Sequence, residues 1–235
     1  MTRFIVFLLI ANLFFSHVHA QNGHLSKAYP DLSISYQLQV DSEQPMLGIL
    51  LSGATCRMAF TDKHSSLSGE DALQQMSLRA YQDARSNEGL LLMQIFGKKQ
   101  YIELEASNSS DLLSTFDTYA DQLRKTNVTK EVAGWLCIKK VGRFVINDQS
   151  VDVVVYVADI NYTGSHPTYG SIYKKLGGIP LRILVRNEYG IFQLEAQKIT
   201  RAPLLKPITK SEISGYEKFD PNATEQEFPF PLKGN

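Results

Sequence analysis

Side chains suited to nucleophilic, acid–base or metal chemistry are scarce in this chain of 235 residues, which holds five histidines and two cysteines. His17 and His19 fall in an apolar leader, and His24 lies just beyond it. That leaves His64 and His166, each isolated and without a neighbour at ligand spacing. No HExxH, no CxxC and no clustered His/Asp pattern occurs, so a zinc centre is not expected. Cys137 and His166 would make a nucleophile pair only if Cys137 were accessible, and its place inside an apolar strand reads as inert packing. Gly164-Ser165-His166 lacks the second glycine of a nucleophile elbow. Gly177-Gly178 opens a strand, so it offers no helix N-terminus to a phosphate. Glu103 and Glu105 share one strand face, the pattern of a solvated surface and not of a glycosidase pair. The chemistry expected is therefore none: no catalytic residue, no metal, no cofactor.

The first residues, MTRFIVFLLIANLFFSHVHAQ, combine a basic start, an apolar run from Phe4 to Phe15 and small residues at Val18 and Ala20. This is the pattern of a secretory signal peptide over 1–20, too short for a spanning helix. It predicts an exported, periplasmic or secreted protein that is soluble once processed. Acidic and basic residues balance at 24 each. No basic cluster stands out along the sequence, so nucleic acid is not an expected partner. In an exported chain Cys56 and Cys137 could form a disulfide closing a loop of about 80 residues, which would contribute roughly 4 kcal/mol. The alternative is two separately buried thiols. Sequons at Asn108, Asn127, Asn161 and Asn222 would matter only in a glycosylating host.

The elements that must position these residues are mostly strands. Leu32, Ile34, Tyr36, Leu38 and Val40 alternate with polar residues, the period of a strand with one wet face. Further strands are predicted over 46–52, 55–60, 90–96, 101–105, 132–140, 151–157, 181–185 and 191–199. Gly97-Lys98-Lys99 and Asn187-Glu188-Tyr189-Gly190 read as tight hairpin connections. Sequential strands joined this way make an antiparallel meander. An amphipathic helix is predicted over 111–125, with Leu112, Phe116, Tyr119 and Leu123 on one stripe. A second helix is predicted over 68–85 from its acidic start and its run of helix formers, with a strand containing Met76, Leu78 and Ala80 as the alternative. The expected class is α+β: a single domain over 21–219 and a loose, proline-interrupted tail over 220–235.

Ala133-Gly134-Trp135-x-Cys137-x-Lys139-Lys140, followed by a strand at 151–157 and by Gly178-Ile179-Pro180-Leu181, resembles an uncharacterised family of exported bacterial proteins of the Bacteroidetes type. Gly53-x-x-x-Arg57-Met58 and Ala196-Gln197-Lys198-Ile199 fit the same pattern. The resemblance implies a fold similar to the periplasmic lipoprotein carriers of the LolA and RseB kind. In those folds a curved antiparallel half-barrel wraps one or two helices around an apolar space. It implies no catalytic residues.

The expected function is a non-enzymatic envelope protein that binds a lipid or lipoprotein acyl chain in a half-barrel pocket. Phe116, Tyr119 and Trp135 are the candidate lining residues, and the segment 61–89 is the candidate lid. A periplasmic interaction or sensor module with an envelope protein partner is the second reading, and an unrecognised hydrolase the third. Within 132–138, apolar side chains fall on both faces, which predicts either a buried strand or the wall of a cavity.

Overall fold

The computed structural model describes residues 31–42, 48, 51–61, 63–83, 86, 88–104, 120–146, 149–160, 173, 175–201, 205–209 and 211–219. Its strands are β1 (Leu32–Asp41), β2 (Thr55–Phe60), β3 (His64–Glu70), β4 (Met76–Asp83), β5 (Gly89–Ile95), β6 (Lys98–Leu104), β7 (Arg124–Val132), β8 (Trp135–Ile146), β9 (Gln149–Ala158), β10 (Ile179–Asn187), β11 (Gly190–Thr200) and β12 (Glu217–Lys218). They form one sheet in the order β12-β6-β5-β4-β3-β2-β1-β11-β10-β9-β8-β7. Two meanders, β1–β6 and β7–β11, meet where β11 pairs antiparallel with β1. Only the short β12 runs parallel to its neighbour.

The expected α+β class is therefore wrong. The described residues are nearly all sheet, and helical backbone is confined to short stretches such as 120–122. The stretch predicted as a second helix, 68–85, is the end of β3, a turn and β4 as far as Asp83, its last described residue. Its helix formers sit in a turn fixed by Asp71, whose buried carboxylate accepts from the amides of Met76 at 2.7 Å and Leu73 at 3.3 Å. An acidic residue before Ala-Leu-Gln-Gln looks like a helix cap in sequence; here it caps a hairpin. The same finding removes 61–89 as a lid, because Leu67, Met76 and Ala80 belong to the core.

The predicted helix over 111–125 lies outside the described residues up to Tyr119, and Phe116 falls there with it. What is described is helical at 120–122 only, and Arg124 already belongs to β7. The predicted strand over 46–52 is also corrected: Gly48 and Leu51 are helical, with the Ser52 amide donating to the Gly48 carbonyl at 2.9 Å. The leader over 1–20, the tail over 220–235 and His166 lie outside the described residues.

The predicted strand over 132–140 is in fact interrupted near its start. Ala133 and Gly134 carry φ of 50° and 80° and form the two-residue turn between β7 and β8, with Val132 paired to Trp135. Positive φ at both central residues gives the hairpin turn whose twist matches the strands. Alanine is a poor choice for the first of them. Ala133→Asn should raise stability by about 1 kcal/mol, read as a higher urea midpoint at unchanged slope.

One face of the sheet carries the core. Ile34, Tyr36 and Leu38 of β1 lie with Met58 and Phe60 of β2, Leu67 of β3 and Met76 and Ala80 of β4. Ile183 of β10 and Phe192 and Leu194 of β11 extend the same cluster. Tyr36 spans the seam between the two meanders, its hydroxyl donating to the Pro180 carbonyl at 2.8 Å. That carbonyl is at a bulge, since the β9–β10 register shifts between Pro180 and Arg182. Bulges strengthen local twist. The β7–β11 half curls enough to bring Lys130 of β7 within 3.9 Å of Glu195 on β11, although three strands separate them in the sheet. The curved sheet is consistent with the expected half-barrel; the one or two helices it was expected to wrap are not found among the described residues.

Candidate functional site

An apolar cavity of about 60 Å³ opens on the core face between β1, β2, β3 and β4. Alternation on each strand supplies its walls: Leu38 from β1, Cys56 from β2, Leu67 from β3, and Met76 and Leu78 from β4. Leu51, from the segment joining β1 to β2, also lines it. That connection is held down at both ends of Leu38, whose amide donates to the Ala54 carbonyl and whose carbonyl accepts from the Gly53 amide, each at 2.8 Å. Gly53 has a φ of 83°, which lets the chain turn tightly over the wall. The polar groups near the lining are Thr55, Glu70, Asp71 and Ser77. The Asp71 carboxylate is already committed to the β3–β4 turn, so the cavity offers a ligand little beyond apolar contact.

The size decides what this site can do. Pockets that enclose whole small molecules run to about 300–1,000 Å³, and about 150 Å³ is needed to hold a benzene ring. At about 60 Å³ the cavity has room for only a few non-hydrogen atoms unless its walls move. Met76 is the wall best able to move, being unbranched and adaptable.

Of the predicted lining residues, Phe116 and Tyr119 lie outside the described residues. Trp135 is half-buried against the core at the start of β8, away from this cavity. Sequence reasoning missed Leu38, Leu51, Leu67 and Met76 as lining residues, although the alternation of β1 marked Leu38 as inward-facing. Met76 was hidden in the stretch read as helix, and Leu67 lies immediately before that stretch.

Cys56 and Cys137 are free thiols on β2 and β8, with β1, β11, β10 and β9 between them in the sheet. The disulfide weighed from the sequence is not formed; the alternative, two separate thiols, is what the structure contains. Burial pushes the Cys56 thiol up to about 12. Burial likewise pushes Cys137 up to about 11, partly offset by a hydrogen bond with the Val132 backbone, and its thiol donates to the Trp135 carbonyl at 3.3 Å. A thiol reagent at about pH 8 should therefore label neither cysteine in the native protein and both in denaturant, because the thiolate is the reactive form. Both shifts are upward, so their contribution to stability is intact below about pH 9 and is lost as pH rises through 11 to 12. Fast labelling of the native protein would contradict this arrangement.

On the opposite face His64 stacks on Tyr81 with ring centroids 5.3 Å apart, and its Nδ1 lies 3.4 Å from the Asp83 carboxylate. Burial, then the Asp83 charge, raise the Tyr81 phenol above its ordinary range. The group reads as a cross-strand packing cluster. Farther along that face the segment 205–219 crosses β4 to β6. It is fastened by ion pairs from Glu212 to Arg79 and from Lys218 to Glu103, and by Lys99 lying 5.7 Å from the Tyr216 ring centre. The Thr209 amide, then Arg79, bring the Glu212 carboxyl down to about 2. Among the described residues no group of three or more His, Cys, Asp or Glu side chains is placed to hold a metal.

Fold and cavity together define a single-sheet, β-rich protein of barrel-like curvature. No protein-family model matches the chain, and no curated protein matches it. Among solved structures it is similar to a β-barrel-like protein of the domain-of-unknown-function family DUF1849 from Brucella abortus. The identity is 10%, the TM-score is 0.29, and the match covers 76% of this chain and 100% of that one. A likeness this distant assigns no function, and the resemblance to the Bacteroidetes-type and LolA-like families gains no support from it.

Proposed function

We propose that this is an exported, non-enzymatic protein that binds the apolar end of a lipid or acylated partner in the cavity between β1 and β4. The observation that carries the reading is the lining itself: Leu38, Leu51, Leu67, Met76, Leu78 and Leu194 surround about 60 Å³ that close packing would ordinarily fill. Such a space accepts an alkyl end at little desolvation cost, and Leu51 and Met76 at its wall can yield to a longer chain. The one thiol in its lining, Cys56, is kept protonated by burial, and no metal cluster stands beside it among the described residues, so the cavity is read as a site for holding and not for turnover.

Native mass spectrometry of protein purified from its own host should reveal a co-purifying acyl-chain compound, and a fluorescent fatty acid should bind saturably. Ala54→Phe, which fills the cavity, should weaken that binding roughly tenfold or more while leaving the fold intact. An empty protein that binds no acyl probe, or a probe that binds Ala54→Phe as well as the natural protein, would overturn the proposal.

A further inference from the structure

The β7–β8 hairpin carries an excess of positive charge. Between Arg124 and Ile146 the chain has six basic residues, Arg124, Lys125, Lys130, Lys139, Lys140 and Arg143, against the single acid Glu131. In sequence these cations are spread over twenty positions; antiparallel pairing brings two of them face to face. Arg143 is answered by Asp152 and Lys130 by Glu195. Arg124, Lys125, Lys139 and Lys140 have no acidic partner among the described residues. Lys125 and Lys140 are moreover direct cross-strand partners. Like charges facing one another across a ladder are destabilising, so the pair costs the free protein stability and would be relieved by an anion.

The same hairpin carries exposed apolar side chains. Of the five large hydrophobic residues exposed among the described ones, Val128, Leu136 and Val145 lie on it, with Leu136 68% exposed. Leu136, the half-buried Ile138 and Lys140 follow one another on one strand face, with Glu131 opposite Leu136. Cations beside exposed aliphatic groups are the composition of a surface that rests on a lipid interface. A polyphosphate partner would use the cations and leave Leu136 without purpose. No described helix is long and apolar enough to span a membrane.

We infer that the β7–β8 hairpin is a docking surface for an anionic phospholipid bilayer, with Lys125 and Lys140 meeting lipid phosphates and Leu136 entering the interface. This does not depend on the cavity, which lies between other strands.

The test is flotation of the full chain with vesicles of phosphatidylcholine alone and with about 30% phosphatidylglycerol added, at low and at physiological salt. Binding is expected only to the anionic vesicles, falling as salt rises. The double substitution Lys125→Gln with Lys140→Gln should weaken it roughly 25-fold, each lysine near the surface counting for about fivefold. It should not lower the melting temperature, because it removes a repulsion. Leu136→Ser should weaken vesicle binding and leave any binding to a DNA oligomer unchanged. Ala54→Phe, which disables the cavity, should bind vesicles normally, so the two proposals fail separately. Absent binding to anionic vesicles at low salt, equal binding by the double variant, or binding indifferent to Leu136→Ser would overturn the inference.

Discussion

Gly178→Ala is expected to be among the most damaging single substitutions in this protein, lowering stability by about 4 kcal/mol. Gly178 has a φ of 144°, a region that side chains rarely tolerate, and an added Cβ would fall on the Ala158 carbonyl oxygen and 2.9 Å from its carbon. That carbonyl belongs to the backbone of β9 and cannot swing aside like a flexible side chain. Gly178 also donates its amide to the Tyr173 carbonyl at 2.8 Å, immediately before β10 begins. A Cβ would therefore push apart β9 and β10, whose first pair is Ala158 with Ile179, both fully buried. Gly97→Ala is the control. Gly97 also has positive φ, at 82°, but an added Cβ meets nothing within 4 Å, so only the conformational cost of about 1 kcal/mol remains. Urea unfolding of both variants separates crowding from conformation, and equal midpoints would refute the close approach of Gly178 to β9.

Phe60→Ala is expected to cost about 3–5 kcal/mol, or a fall in melting temperature of roughly 6–20 °C for a domain of this size. Phe60 ends β2, is fully buried, and lies 5.8 Å from the Tyr173 ring in a tilted aromatic pair. Its partners in the ladder are Leu32 and Ser65, both buried, so the strands around it have little freedom to collapse into the space left behind. Phe96 is the useful contrast: it is exposed in the β5–β6 turn with a φ of 48°. Phe96→Gly should change stability by less than about 1 kcal/mol, because the released backbone strain offsets what little packing is lost. A Phe60 variant as stable as the natural protein would mean that β2 does not carry the core.

Strand alternation survived from sequence to structure wherever the period was clean. Leu32, Ile34, Tyr36 and Leu38 were legible as inward-facing residues of β1, and all four are buried. The strands around 151–157, 181–185 and 191–199 were found with ends a few residues short. Reading failed where a residue type has two uses. Asp71 before a run of helix formers fits a helix cap or a hairpin turn equally well locally, and pairing of β4 with both β3 and β5 decides for the turn. Ala133-Gly134 failed for the opposite reason, since alanine at the first position of a two-residue turn is unfavourable and gives no turn signal.

The sequence by itself determined that this chain is rich in antiparallel strands, that it lacks the ligand spacing of a zinc site, and that Cys137 lies inside an apolar strand. Those properties are local: period, spacing and residue chemistry are read within about ten positions. Only the tertiary structure decided that one sheet accounts for nearly all the described residues, that Cys56 and Cys137 stand apart, and that the cavity falls between β1 and β4. It alone brought Lys125 opposite Lys140. Each of these depends on which strand lies beside which, a choice made by burial summed over the whole core face and by the curl of the sheet. No short stretch carries that sum.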